Sequence, residues 1–136
     1  MANSLLSGET SLTTLLQSMN PVLRPGEFVF CSIDPDAVAG LSGTPICQFT
    51  EEEGLTVIMQ KEDAEKSSLQ YGYVSKMITI GVHSSLDAVG FLAAITGKLA
   101  AHGISVNAVS AFYHDHLFVP PDNADEAMEI LNSLSK

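Results

Sequence analysis

Lys76–Pro120 reads KMITIGVHSSLDAVGFLAAITGKLAAHGISVNAVSAFYHDHLFVP and decides the architecture expected for this chain. Its first residues are apolar and partly β-branched, which predicts a strand. Ser84, followed three positions later by Asp87, has the spacing of a helix-capping box, so a helix is expected to start there. Gly103 fits the end of that helix. Two further strands, joined by a tip at His114–Asp115, complete a pattern of strand, helix and hairpin.

The predicted helix has unusually little polar surface. One face is apolar and the opposite face consists of small residues. These faces are, respectively, Ala88, Leu92, Ile95 and Leu99, and Gly90, Ala94, Gly97 and Ala101. A helix of this composition is usually covered on more than one side. The small face is therefore expected to pack on another helix, from a second repeat or from a partner subunit; the alternative is an exposed, alanine-rich face.

Composition excludes several classes of function. Six Lys and Arg against sixteen Asp and Glu give a net charge of -10, which argues against binding to nucleic acid or to an anionic membrane. No apolar run reaches the ~18 residues of a membrane span, and the N-terminal MANSLLSGETS lacks the features of a signal peptide. Cys31 and Cys47 lie outside any C-x-x-C motif, in apolar strand-like runs, and are predicted to be buried free thiols. A cytoplasmic protein is expected.

The chain contains an internal repeat. Asp36–Leu41 (DAVAGL) resembles Asp87–Leu92 (DAVGFL), and each segment follows an apolar strand and precedes a hairpin and a helix. Each copy has the ferredoxin-like order once a last strand is added. Leu69–Val74 can supply that strand to the first copy. The second copy ends at Lys136 without one, so its sheet is expected to be incomplete or to be completed from elsewhere in the chain or by a partner.

The predicted fold class is therefore α+β, with two ferredoxin-like (βαββαβ) modules that have antiparallel sheets and helices on one face. Residues 1–74 are predicted to hold an N-terminal helix and a first, shortened module, and residues 75–136 the second module.

These features resemble the ACT domains, which are small βαββαβ regulatory modules that bind amino acids. ACT domains show an Asp and then a Gly before an apolar helix, and Gly-Ile-x-Val at the next strand; here those positions are Asp87, Gly90 and Gly103–Val106. Val89 replaces the usual Pro. The second half matches better than the first. Over most of its length the chain looks like short bacterial tandem ACT proteins with similar EEEGLT, VHSSL and YHDHLFVP segments, and distantly like the paired-ACT arginine sensors of animals.

The resemblance implies a ligand at the turn between the first strand and the first helix, at an interface between two modules. A helix N-terminus offers free N–H groups to an α-carboxylate, and Gly90 allows close approach. Asp87 or Asp36 could pair with an α-ammonium group, and Asn107 offers both a donor and an acceptor. The candidate ligand-binding residues are His83, Ser84, Ser85, Leu86, Asp87, Val89, Gly90, Asn107, Asp34 and Asp36. The alternative is that Ser84 and Asp87 only cap the helix.

Other functions receive less support from the residues. His114, His116, His83 and Asp115 include the donor types of a zinc site, but no H-E-x-x-H or C-x-x-C motif is present and neither a metal nor another cofactor is expected. His83, Ser84 and Asp87 include the residue types of a hydrolase triad, yet neighbours on one turn seldom converge. No nucleotide-binding or nucleophile-elbow motif occurs. A third possibility is a module that only oligomerises.

The sequence thus predicts a regulatory or sensor protein that binds an amino acid or a related metabolite, has no catalytic activity of its own and forms a homodimer. It would act by population shift, since the ligand would change the surface that is offered to an unidentified regulated protein. No nucleic-acid or membrane partner is expected.

Overall fold

In the computed structural model, residues 8–135 are described. Residues 1–7, where no signal peptide is predicted, lie outside that range, as does Lys136. In chain order the helices and strands are α1 (Leu12–Gln17), β1 (Pro21–Leu23), β2 (Phe28–Ile33), a 3-10 helix (Pro35–Gly40), β3 (Cys47–Thr50), β4 (Leu55–Gln60), α2 (Lys61–Lys66), β5 (Gly72–Ile80), α3 (Phe91–Ala101), β6 (Asn107–Ser110), β7 (Asp115–Val119), a 3-10 turn (Pro121–Asn123) and α4 (Ala124–Leu134).

These elements form two compact units. The middle unit is Pro25–Lys76. The terminal unit consists of the N-terminal segment up to Arg24 and of the chain from Met77 onward. The described strand pairs are antiparallel, which agrees with the predicted α+β class of two ferredoxin-like modules. No helix within residues 8–135 has both the length and the apolar character needed to cross a membrane.

The middle unit contains a four-stranded arrangement. β2 pairs with β4 from Phe28↔Gln60 to Ile33↔Leu55, and β3 pairs with the other edge of β4. The first part of β5 pairs with β2, with Phe28 opposite Ser75. Its core consists of Val29, Cys31, Ile33, Leu55, Val57, Met59 and Ala64. Two separate strands were predicted, at residues 69–74 and from Lys76 onward, whereas the structure has one continuous strand, β5 (Gly72–Ile80).

In the terminal unit, the missing strand of the second module is β1. From Ile78 onward β5 pairs with β1, with Leu23 opposite Ile78 and Pro21 opposite Ile80. β7 is the other neighbour of β5, and β6 pairs with β7. Helix α4 packs against β1. Of the three alternatives left open by the sequence, the structure shows completion from elsewhere in the chain, by a strand that precedes β2.

The N-terminal helix α1 also belongs to the terminal unit. The side chain of Ser11 accepts a hydrogen bond from the Thr14 N–H at 3.4 Å and caps the helix. Leu15 and Met19 are fully buried in the core that includes Phe91 of α3. The division at residue 74 assigned this helix to the first module by sequence order, whereas in space it packs with the second.

Two local predictions were wrong. Helix α3 begins at Phe91 and not at Ser84, because Gly90 takes a left-handed conformation with φ +86° and serves as its N-cap. The hairpin tip lies at residues 111–114, where the Ala111 N–H donates to the His114 carbonyl. Asp115 is the first residue of β7 rather than part of the tip. Gly103, with φ +75°, follows the helix end as predicted.

Candidate ligand site at the turn between β5 and α3

A cavity of about 200 Å³ lies in the terminal unit at the turn between β5 and α3. Its lining residues come from the turn, from the first residues of α3 and from the β6–β7 hairpin. They are Ser84, Ser85, Leu86, Ala88, Phe91, Leu92, Ser110 and Asp115. Sites for drug-sized ligands usually measure roughly 300–1,000 Å³. The smaller volume here suits a metabolite of amino-acid size.

A buried carboxylate defines the polar side of the cavity. Asp115 is 6% exposed and Ser84 is 7% exposed, and the Ser84 hydroxyl donates to Asp115 Oδ2 at 3.1 Å. Among residues 8–135, no Lys, Arg or His forms an ion pair with Asp115. A buried carboxylate is costly unless charge or hydrogen bonds compensate for its lost hydration. The cavity therefore presents a negative group that a cationic ligand group would compensate.

The N-terminus of α3 provides a partial positive charge at the same cavity. The helix has eleven residues, and no side chain caps its N-terminus at Gly90. The first N–H groups of a helix lack partners within the helix and carry a partial positive charge. Phe91 and Leu92, the first two residues of α3, line the cavity. One cavity thus combines a buried carboxylate with the start of a helix whose first N–H groups have no side-chain cap.

The segment that precedes α1 holds the turn in place. The Glu9 N–H donates to the His83 carbonyl at 2.9 Å, and the Ser85 N–H donates to the Glu9 carbonyl at 2.8 Å. A Cβ added at Gly8 would lie 2.9 Å from the Ser85 nitrogen, so only glycine fits there. The backbone N–H groups of Ser11 and Thr10 donate to the Glu9 carboxylate and lower its pKa.

Further hydrogen bonds fix the backbone of the turn, and the side chains of Asp87 and Val89 are exposed. The Asp87 N–H donates to Ser85 Oγ at 3.1 Å, and the Ala88 N–H donates to the Ser85 carbonyl at 3.0 Å. Val89 is 85% exposed. The predicted capping role of Ser84 and Asp87 was wrong, because Ser84 binds Asp115 and the helix starts later.

His83 packs beside the cavity and is not among its lining residues. Its ring lies 4.9 Å from that of Tyr113, centroid to centroid. Its Nε2 atom is buried and has no hydrogen-bond partner among the described residues. His83, His114, His116 and Asp115 do not assemble into a metal site, since no group of three or more possible ligands within residues 8–135 could hold an ion.

The remaining predicted residues lie apart from the cavity lining. Asn107 is exposed at the start of β6. Asp34 and Asp36 belong to the middle unit, where the Asp34 carboxylate accepts from the Asp36 N–H at 2.9 Å and caps the 3-10 helix.

Sequence reasoning missed five of the lining residues: Ala88, Phe91, Leu92, Ser110 and Asp115. A signal for Asp115 was present in the strand periodicity. Side chains two positions apart share one face of a strand, and Leu117 and Val119 are fully buried. An Asp at position 115 should therefore point to the same buried side.

The fold and the cavity define a protein of two small α+β modules with a ligand-sized cavity in the terminal unit. Residues 7–76 match one ACT domain family model and residues 73–133 match another. The chain belongs to the ACT domain family and carries two such domains in tandem. This membership supports a regulatory role that involves binding a small molecule, because ACT domains are regulatory rather than catalytic modules.

Among solved structures, the chain is similar to a protein of unknown function from Vibrio cholerae, described as a possible transport protein. The two are 40% identical, with 93% of this chain and 98% of that chain covered and a TM-score of 0.82. A protein from Agrobacterium tumefaciens is 15% identical, with 85% and 87% covered and a TM-score of 0.68. The regulatory subunit of aspartate kinase from Thermus thermophilus is 11% identical, with 88% and 99% covered and a TM-score of 0.63. The last two similarities concern the fold alone. None of the curated proteins compared with the chain matches it.

Proposed function

We propose that this protein is an amino-acid-binding regulator without catalytic activity of its own, and that the amino acid binds at the turn between β5 and α3. The observation that carries the proposal is the buried carboxylate of Asp115, which faces a cavity beside an uncapped helix N-terminus. A zwitterion has the matching pair of charges. Its ammonium group would lie against Asp115 and the Ser84 hydroxyl, and its carboxylate against the N–H groups that start α3.

The cavity also has room for an apolar side chain. Leu86, Ala88, Phe91 and Leu92 supply apolar surface around the two polar ends. Substitutions in the turn beside the cavity should also alter binding; the residues concerned are His83, Ser85, Asp87, Val89 and Gly90.

Regulation would follow from population shift, in which the ligand favours one arrangement of the turn. Leu86 is 66% exposed and Val89 is 85% exposed, so this turn offers apolar side chains to solvent. A ligand that fixes the turn would change the surface available to a regulated protein. We also propose a cytoplasmic setting for this activity. Both cysteines are free thiols; Cys31 is buried as predicted, whereas Cys47 on the edge strand β3 is only half-buried.

We further propose that the protein acts as a homodimer, with the small-residue face of α3 at the interface. Gly97 and Ala101 are exposed, and within the terminal unit α3 buries Phe91, Ile95 and Leu99 instead. Between residues 88 and 111 the sequence contains no Asp or Glu, although the whole chain has a net charge of -10. Two copies would therefore approach with little repulsion on this side. A monomer at micromolar concentration in analytical ultracentrifugation would contradict this assignment.

Isothermal titration of the purified protein against the twenty amino acids tests the ligand proposal. At least one amino acid is expected to bind saturably and to be recovered unchanged afterwards. Asp115→Asn keeps the shape of the side chain and an acceptor for Ser84 but removes the charge, so it should weaken binding by about 10- to 100-fold, the range for hydrogen bonds to charged groups.

Asp125→Asn is the matched control, because Asp125 is exposed on α4 and away from the cavity lining. It should bind the same amino acid with unchanged affinity. The proposal fails if no amino acid gives heat or a thermal shift, or if Asp115→Asn and Asp125→Asn bind equally well.

A further inference from the structure

A second polar cluster lies on the opposite face of the sheet in the terminal unit. The cluster consists of Thr79 on β5, His116 on the neighbouring strand β7, and Arg24, the residue that follows the neighbouring strand β1. Their chain neighbours pack into the core under the helices: Leu23, Ile78 and Leu117. Since successive side chains of a strand point to opposite faces, the cluster lies on the face away from those helices.

The cluster is connected by hydrogen bonds through one hydroxyl group. Arg24 Nε donates to Thr79 Oγ1 at 3.1 Å, and Thr79 Oγ1 lies 3.0 Å from His116 Nδ1. Arginine has no acceptor, so the single proton of the hydroxyl is free to point to His116. When the imidazole is neutral, His116 can accept this proton at Nδ1 and carry its own proton on Nε2.

Arg24 is the single arginine in a chain with sixteen Asp and Glu. Within residues 8–135 it forms no ion pair with any of them. Its bond to Thr79 uses Nε, and the side chain is exposed. The two Nη groups therefore retain four N–H donors in the planar geometry that binds carboxylate and phosphate through two oxygens. A guanidinium that is held in place by a 2% exposed threonine is pre-oriented for such a ligand.

We propose that Arg24, Thr79 and His116 form a binding site for a small oxyanion, a carboxylate or a phosphate group, separate from the cavity at the β5–α3 turn. The ligand must be a small molecule, because a net charge of -10 opposes polyanions such as nucleic acid. The proposal does not depend on the amino-acid site, since Asp115 and Ser84 lie on the core side of the sheet with Leu117 and Val119.

Anion binding at this site should be coupled to protonation of His116. Burial, the neighbouring His114 and the Arg24 guanidinium lower the pKa of His116, and Asp115 raises it. These are the charged and titratable groups that act on the ring from its own strand and from β1. An anion between Arg24 and His116 would stabilise the imidazolium and raise that pKa. Binding should therefore take up a proton and become tighter as the pH falls.

The test is a pH titration of the four histidine side chains by NMR, with inorganic phosphate or acetate added at constant ionic strength. The His116 signal is assigned from its loss in His116→Gln. Phosphate, acetate or both should raise the pKa of His116 saturably, and the arm that saturates at lower concentration identifies the class of ligand. The exposed His102 serves as an internal control and should not respond.

Arg24→Gln should weaken this saturable response by about tenfold or more, as expected for lost charge-assisted hydrogen bonds. Arg24→Lys keeps the charge but loses the fork and should bind with intermediate affinity, provided that both variants show the wild-type fold by circular dichroism. Lys66→Gln removes a cation at an exposed position in the middle unit and should respond like the wild type.

The proposal is overturned if neither anion shifts His116 saturably, or if Arg24→Gln responds as the wild type does. Asp115→Asn separates the two sites, because this variant should bind the amino acid more weakly and retain the anion response. Loss of both responses in Asp115→Asn with an intact fold would also count against a separate anion site.

Discussion

Replacing Gly90 with Ala should destabilise the protein, and the structure sets the size of the effect. Gly90 has φ +86°, and an added Cβ would meet only Leu12 Cδ2, at 4.0 Å. The cost is therefore conformational rather than steric. A left-handed conformation costs an L-residue about 1–2 kcal/mol, and the smaller entropy of the unfolded alanine chain returns about 0.4–1 kcal/mol. A net loss of about 1 kcal/mol in the free energy of unfolding is expected.

The matched control is Gly40→Ala. Gly40 lacks a positive φ, and no atom lies within 4 Å of an added Cβ. The same chemical change should there stabilise the protein by about 0.4–1 kcal/mol. Urea unfolding followed by circular dichroism measures both variants, and the Gly90 variant should also melt roughly 4 °C below the wild type.

The result that would refute this reasoning is equal stability of Gly90→Ala and Gly40→Ala. That outcome would mean that position 90 does not require a left-handed backbone. The helix would then be free to start earlier, at the Ser84 position that the capping-box spacing predicts. The experiment therefore also tests how the cavity is formed, since the turn from Ser84 to Gly90 provides much of its lining.

Two further predictions concern His116 and the small face of α3. The folded state lowers the pKa of His116 below its ordinary 6.5, so the unfolded chain binds the proton first as the pH falls. The stability that His116 contributes above pH 6.5 is therefore lost as the pH falls through the folded-state pKa. The unfolding free energy of the wild type minus that of His116→Gln should decrease from pH 7.5 to pH 5, and a constant difference would contradict the prediction. Gly97→Glu should convert a dimer to a monomer in sedimentation experiments. Gly97 lies inside α3, and outside its own helix no described atom lies within 4 Å of the added Cβ. The change should therefore stabilise the monomer by about 0.5 kcal/mol, the difference in helix propensity between Gly and Glu. An unchanged mass would argue against an interface on this face.

Most strands and the fold class follow from local patterns. Apolar alternation and turn residues indicated β2, β3, β4 and β5, and the order of elements in the two repeats indicated the ferredoxin-like modules. The Gly103-Ile104-Ser105-Val106 motif predicted the helix end, because a glycine in the left-handed conformation ends helices in many proteins. These features depend on residues that are close in sequence, so one chain suffices to predict them.

The candidate site was predicted only in part, because some of its residues are brought together by contacts between distant parts of the sequence. Three residues of the predicted ligand-binding turn, Ser84, Ser85 and Leu86, are among those that line the cavity. Ser84 has two possible partners, the N–H groups of a helix that starts beside it or a carboxylate 31 positions away. Local spacing favours the first, and the long-range packing of β7 against β5 selects the second.

The sequence by itself determined the two α+β modules, the anionic surface and the turn that follows β5. The tertiary structure decided which strand completes the second module, since β1 has only three residues and pairs with a strand more than fifty positions away. It also decided that Asp115 is buried at the turn and that Arg24, Thr79 and His116 meet on one sheet face. These groups are separated by tens of residues, and only the register of neighbouring strands brings them within hydrogen-bonding distance.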